Sequence, residues 1–382
     1  MGRSGAVPLR LVARHWGRIG CLGFGGPPAH IALLRQLCVG RHHWLQPAEF
    51  EDAIAACNLL PGPASTQLAI FTAWRVAGPL GALVGGLAFV TPGLVIILGL
   101  AAVFLAGSPP TWALGAAAGM SAAVAAVAVR AGSDLVGPSR QRAPSHRRWL
   151  LYTLIGAASA ATLGPWLVLV LAGCGVAETL IGRPGRASAA SMQFWPVVAV
   201  AAPATGGVLA LAWVALKVGA LSYGGGFVII PLLQSDAVAH YHWMTNAQFL
   251  NAVALGQITP GPVVQTVAVV GYAAGGIAGG LLAALIAFTP SFVFVLSGGA
   301  HFDRLRTNAR ARAFLAGAGP AAIGAILGAA LPLAFALGEA WQYAVLAGAL
   351  IVLLLLRRGV VLTLLVAGAA GIVATALGAP LP

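Results

Sequence analysis

Two short stretches concentrate the groups in this chain that could hold an anion. "LLPGPASTQ" (59–67) and "QITPGPVVQT" (257–266) each place a glycine between two prolines. In the first, Pro61, Gly62 and Pro63 precede Ser65, Thr66 and Gln67. In the second, Thr259, Pro260, Gly261 and Pro262 precede Gln265 and Thr266. A proline inside a helix removes a donor and clashes with the preceding turn, at a cost of about 3 kcal/mol or more. Both stretches therefore interrupt a helix. With Gly62 as N-cap and Pro63 as the first helical residue, a new helix starts at the break without losing a needed N–H. Its first turn offers amides that lack intrahelical acceptors, at the positive end of the helix dipole. Two such ends facing one another would bind an anion without a metal.

Other residues extend this set. "GFGGPPAH" (23–30) and "SYGGGFVII" (222–230) carry Gly25 with Gly26 and Gly224 with Gly225. Such turns let a backbone approach a ligand closely or adopt positive φ. Tight helix packing is the competing reading, and it suits Gly81, Gly85 and Gly86. Lys217 and Arg75 are cations at membrane depth, where a charge faces the bundle interior or a cavity and would suit an anion. Arg75 reads equally as a side chain snorkelling from a helix end. Acids are scarce, so His30, Glu51 and Asp52 are the candidates for charge or proton coupling, although a lone His or acid is more often structural. The histidines and the four cysteines show no metal-ligand spacing, so no metal and no cofactor is expected. Ser65 with His30 is the one pair that could act as nucleophile and base, and no GxSxG or HExxH motif supports it. A passive anion channel is a third reading beside a coupled carrier and an intramembrane enzyme.

The elements that position these groups must lie in a bilayer. The chain has 382 residues, 59% hydrophobic and 8% charged, with a mean hydropathy of +0.92. Soluble domains carry about 25% charged residues. Runs such as 81–107 exceed the roughly 20 residues a crossing needs. The formal charge of +13 comes mostly from arginines in short connections, as in the positive-inside pattern, and not from a nucleic-acid surface. The basic amino terminus has no clean apolar core, so a cleaved signal peptide is not expected.

The two proline breaks belong to an internal repeat. A shift of 199 positions takes Pro61-Gly62-Pro63 to Pro260-Gly261-Pro262, Trp44 to Trp243 and Phe50 to Phe249. After a one-residue gap, Thr91-Pro92 matches Thr289-Pro290. Two homologous halves result, 1–185 and 195–382. The basic loop follows the second long helix in half one (130–148) and the first in half two (301–312), so equivalent loops fall on opposite faces. The expected fold is an all-α polytopic membrane protein whose halves form an inverted repeat with broken or re-entrant helices. Crossings are expected near 79–107, 112–129, 149–163 and 165–182, with partners near 278–298, 314–336, 341–356 and 359–378. Segments 20–38, 50–77, 222–235 and 249–275 are expected as re-entrant hairpins, and 196–222 as the odd crossing that inverts half two. Breaks of this kind survive at membrane depth only where protein buries them or they line a cavity.

The segments "FGGPPAHIALL", "LLPGPASTQLAI", "YGGGFVIIPLL" and "FLNAVALGQITPGPV", with "AFVTPG" and "AFTPSF", resemble the signature segments of the chromate ion transporter family in its long, two-domain form. The resemblance covers both halves. It departs at Tyr223, where the family usually has Phe, and at Arg75, in place of a glycine-rich stretch. It implies a multi-pass exporter of chromate in the bacterial inner membrane, driven by the proton gradient or by exchange with an anion such as sulfate. Expected partners are the oxyanion, chromate or sulfate, the lipid bilayer and a second copy in a homodimer, with no nucleic acid. Alternating access would come from one half rocking against the other.

Overall fold

Glycine and proline decide where the helices of this chain stop. The computed structural model describes residues 7–58, 60, 62–162, 166–181, 206–222, 226–298 and 308–381, and among these it holds helices and no strand. The first half contains α1 (Leu9–Leu22), α2 (Pro27–Arg35) with a π-helical turn Gln36–Arg41, α3 (Pro47–Cys57), α4 (Ala64–Phe104), α5 (Thr111–Gln141), α6 (His146–Thr162) and α7 (Leu167–Ile181). The second half repeats the order. It has α8 (Val208–Leu221), α9 (Ile229–Gln234) with a π-helical turn Ser235–His240, α10 (Asn246–Ile258), α11 (Thr266–Gly298), α12 (Ala309–Phe335), α13 (Ala340–Leu350) and α14 (Val360–Ala376). Even the left-handed His43 (φ 51) recurs as His242 (φ 53).

Two of the long helices are folded back on themselves. Ala77 and Gly78 (φ 69) break α4, and Gly275 and Gly276 (φ 62) break α11. A Cβ on Gly81 would lie 2.6 Å from the Ala73 carbonyl oxygen, and one on Gly279 would lie 2.3 Å from that of Gly271. The two arms of each helix are thus in backbone contact. The first arm of α4, 64–76, is about 20 Å long at 1.5 Å per residue, too short to cross a hydrocarbon core of ~30 Å. The segments Ala64–Phe104, Thr111–Gln141, Val263–Gly298 and Ala309–Phe335 are long and apolar enough to cross. Leu87, Leu154, Leu285 and Val366 are exposed on the outside. A surface of this kind is covered by lipid, and the chain is a multi-pass membrane protein.

The interrupted segments are hairpins. Glu49, at the start of α3, pairs with Arg75, at the end of the first arm of α4, so the Pro-Gly-Pro break is the tip between them. Lys217 on α8 pairs with Asp236 beyond α9, so these helices form a third hairpin whose described tip residues are Ser222 and Gly226. On α1 and the chain after α2, Trp16 stacks on Trp44 (6.2 Å between centroids), and the Gly23–Gly26 turn is the tip. The hairpins begin earlier than the expected 20–38 and 222–235. Helix α8 spans 14 residues, about 21 Å, and ends at Ser222, which covers only the second part of the crossing expected of 196–222. Residues 196–205 lie outside the described ones.

The helix α5 also runs past its expected end at 129. Arg130 pairs with Asp134 one turn on (2.9 Å) and donates to the Leu353 carbonyl (2.9 Å), so the arginine cluster continues as helix to Gln141. Helices α4 and α11 run antiparallel. Gly86 meets Phe292, whereas Gly280 meets Leu98. The closing helices cross over between halves. Gly324 and Gly317 of α12 press on the Thr153 and Cys174 carbonyls of α6 and α7, and Gly119 and Gly371 join α5 to α14. Only small residues allow backbones so close in a bilayer.

Candidate functional site

The four hairpin tips meet. The Gly261 amide donates to the Gly23 carbonyl (3.0 Å), which joins the first and fourth tips. His30 joins the first and second. Its Nε2 donates to the Gly23 carbonyl (2.9 Å), and its Nδ1 lies 3.3 Å from Ser65 Oγ. A Cβ on Gly62 would lie 2.7 Å from Gln67 Nε2, 3.3 Å from the Gly219 carbonyl oxygen and 3.4 Å from Ser291 Oγ. The second tip therefore touches α8 and the far arm of α11. One on Gly226 would lie 3.3 Å from Val263 Cβ, linking the third tip to the fourth. Reciprocally, Gly93 of α4 faces the Pro260 carbonyl, and Gln265 Nε2 donates to the Val90 carbonyl (2.8 Å).

Local chemistry explains each tip. Gly62 (φ 116) and Gly261 (φ 104) occupy left-handed backbone that other residues avoid. Pro63 is the N-cap, with ψ 102, and the helix begins at Ala64, one residue later than the sequence suggests. The reason is that the Pro63 carbonyl already accepts from the Thr66 and Gln67 amides (both 3.0 Å). The Ala64 and Ser65 amides are then the first-turn donors without an intrahelical acceptor. In the second half, Pro262 caps a short 3₁₀ turn, Val263–Gln265, which absorbs the one-residue gap of the repeat. A third helix start lies here too, because Gly26 (φ 73) caps α2 and Pro27 begins it. Gly25 is exposed beside it.

Buried polar atoms gather at these tips. Thr66 Oγ1, Ser222 Oγ, Gln257 Nε2 and Ser291 Oγ are enclosed and have no hydrogen-bond partner among the described residues. Thr66, Ser222 and Ser291 are fully buried. Such atoms cost free energy unless something else fills the bond. Gln67 and Gln265 are fully buried beside them. The Thr259 and Thr266 hydroxyls are different, since they donate to the Leu255 (2.9 Å) and Val263 (2.8 Å) carbonyls. A cavity of about 600 Å³ reaches the second tip at Gly62 and Ala64, and Arg142 and Arg312 line it as well.

The expected charges are arranged differently. Lys217 is buried, but Asp236 lies 2.5 Å away and neutralises it, so it brings no net positive charge to the tips. Arg75 sits at the base of its hairpin with Glu49, a helix arm away from Gly62. Glu51 pairs with Arg35 (2.9 Å) in a half-exposed contact, and Asp52 is on the same helix, α3. Of the coupling candidates, only His30 is at the tips. Pro61, Tyr223, Gly224 and Gly225 lie outside the described residues. Sequence reasoning missed Ser222, Gln257 and Ser291. Ser291 follows the repeated Thr-Pro pair, which was the one signal pointing to it. Among the described residues, no group of three or more His, Cys, Asp or Glu could hold a metal ion.

Comparison with known proteins gives a consistent result. The profile of the chromate transporter family matches residues 11–178 and 209–372. The chromate transport protein of Cupriavidus metallidurans is 32% identical over 340 residues, covering 85% of this chain and 82% of that one. The chromate transport protein of Pseudomonas aeruginosa is 32% identical, covering 81% and 77%. An uncharacterized transporter of Methanocaldococcus jannaschii is 25% identical, covering 76% of each. No solved structure matches the chain.

Proposed function

The chain belongs to the chromate transporter family, and we propose that it carries chromate across the bacterial inner membrane through a site built by its four hairpin tips. The observation that carries this reading is the set of buried donors around the two glycine breaks, Thr66, Ser222, Gln257 and Ser291, which have no partner among the described residues. A tetrahedral dianion presents four oxygens and could accept from all of them. Hydrogen bonds to an ionised acceptor are roughly twice as strong as neutral ones. The amides of Ala64 and Ser65 and the dipole ends of α2 and α4 add to the attraction. The antiparallel pairing of α4 with α11 supports an inverted repeat of residues 1–185 and 195–382, with the substrate at the repeat interface.

Direction and coupling follow as parts of the same proposal. Export is driven by the proton gradient or by exchange with another anion, and His30 is the titratable group placed to sense an occupied site. The buried His30–Ser65 contact also fits a nucleophile and base, but a backbone carbonyl holds the far side of the ring, where a hydrolase would place an acid. It serves here as a clamp between two tips. Chromate and sulfate share shape and charge, so donors alone separate them poorly. The test is flux in proteoliposomes loaded with either anion, with and without an imposed proton gradient. Saturable chromate uptake inhibited by sulfate, and reversed with the gradient, is expected. No movement of either anion would refute the substrate, and flux indifferent to any gradient or counter-anion would indicate a pore.

A further inference from the structure

Two cavities among the described residues stand at corresponding places in the two halves. The large one, about 600 Å³, lies between the α3–α4 tip, the end of α5 and the first half of α12, where it meets Asn58, Pro138 and Pro320. The small one, about 80 Å³, lies between α10, the first half of α5 and the end of α12, where it meets Ala118, Ser121, Asn251 and Ala336. Exchanging α3 for α10 and α5 for α12 turns one description into the other. Of these two, the large cavity reaches a glycine break and the small one does not. In the small one, the Ser121 hydroxyl donates to Asn251 Oδ1 and joins α5 to α10. Asn251 corresponds to Asp52 under the 199-position shift. Downstream of the gap, the local pattern Ser121-Ala-Ala-Val is matched by Pro320-Ala-Ala-Ile, so the open side has a proline where the closed side has its hydroxyl.

We propose that these cavities are alternative entrances to one site, and that Ser121 with Asn251 is the latch that keeps the second entrance shut. The structure then holds the state that is open on the side of Arg142 and Arg312. The two basic side chains at that entrance would raise the local concentration of an anion. The opposite state opens when α10 leaves α5 and α3 closes on α12. Removing the latch shifts the balance toward that state without touching any atom at the tips. The inference rests on the tips being the transport site, because the entrances need a common destination.

The test reads accessibility, not transport. In a chain whose four native cysteines are replaced, Asn58→Cys reports the open entrance and Ala247→Cys the closed one. Each is labelled in membranes with a small charged thiol reagent, in the absence of any oxyanion. Ser121→Ala or Asn251→Ala should raise labelling at position 247 and lower it at position 58, each by about fivefold, the shift expected for one hydrogen bond. Pro320→Ser offers a latch to the side that is now open and should move both reporters in the same directions even if the alanine variants fold poorly. Labelling that rises or falls at both positions together, or stays unchanged in Pro320→Ser and the alanine variants alike, would overturn the latch. A separate arm adds chromate to the unlatched protein. Protection at neither position would refute the anion site while leaving the reciprocal labelling, and the latch, intact.

Discussion

Gly62 and Ser291 carry the proposal at the level of single residues. Gly62→Leu forces a branched side chain into left-handed backbone and onto Gln67, so chromate flux should fall at least a hundredfold while the protein still reaches the membrane. Ser291→Ala removes one donor from a site that is otherwise unchanged. A loss of three- to tenfold in chromate affinity, with little change in thermal stability, is expected from the usual worth of one such bond. Lys217 should behave in the opposite way. Lys217→Ala leaves the Asp236 carboxylate buried alone, which costs about 3–5 kcal/mol, and the protein should unfold at much lower temperature. The double variant Lys217→Met with Asp236→Leu should recover most of that loss in a melting assay, with its flux recovered as well. The proline-glycine pattern of the breaks was legible because backbone chemistry at those residues is local. The role of Lys217 was not, because its partner lies 19 positions away across a hairpin and only the fold brings them together.

Elements were legible to the extent that their ends are written in glycine and proline. The hairpin form of 50–77 was expected from the proline-glycine interruption at its middle, and the Glu49–Arg75 contact at its base fits that form. Packing of the small-residue kind, expected for Gly81, Gly85 and Gly86, is also present, with Gly85 against Ala73 and Val12. The end of α5 was misplaced because a run of arginines resembles a loop in composition. Asp134 one turn on and the carbonyl of Leu353 from the second half satisfy Arg130, and a cluster of arginines by itself shows neither partner. The glycines of α12 make a further prediction at this scale. A Cβ on Gly324 would lie 1.8 Å from the Thr153 carbonyl oxygen, a contact no rotamer can relieve. Gly324→Leu should therefore prevent α6 from docking, and the amount of folded protein extracted from membranes should fall severalfold. Gly348→Leu, with open space around it, should leave that amount unchanged.

The whole molecule departs most from what its repeat suggests. Two homologous halves invite the picture of two bodies rocking against one another, yet the packing divides the chain differently. The hairpins α1–α4 and α8–α11 meet through their tips and through α4 and α11, while α5–α7 interlock with α12–α14. Each half thus contributes to both groups, and the exchange cannot be read from a repeat because sequence similarity does not say which copy a helix packs on. Residues 1–193 and 194–382 produced as separate chains should each be degraded alone, and together should co-purify and restore chromate flux. The site itself is tested most directly by diffraction from crystals grown with chromate, using X-rays at the chromium absorption edge. An anomalous peak within hydrogen-bond distance of the Ala64 and Ser65 amides and of Ser291 Oγ is the result expected here. A peak confined to Arg142 and Arg312 at the cavity wall, or none at the tips in a protein that still transports chromate, would contradict it.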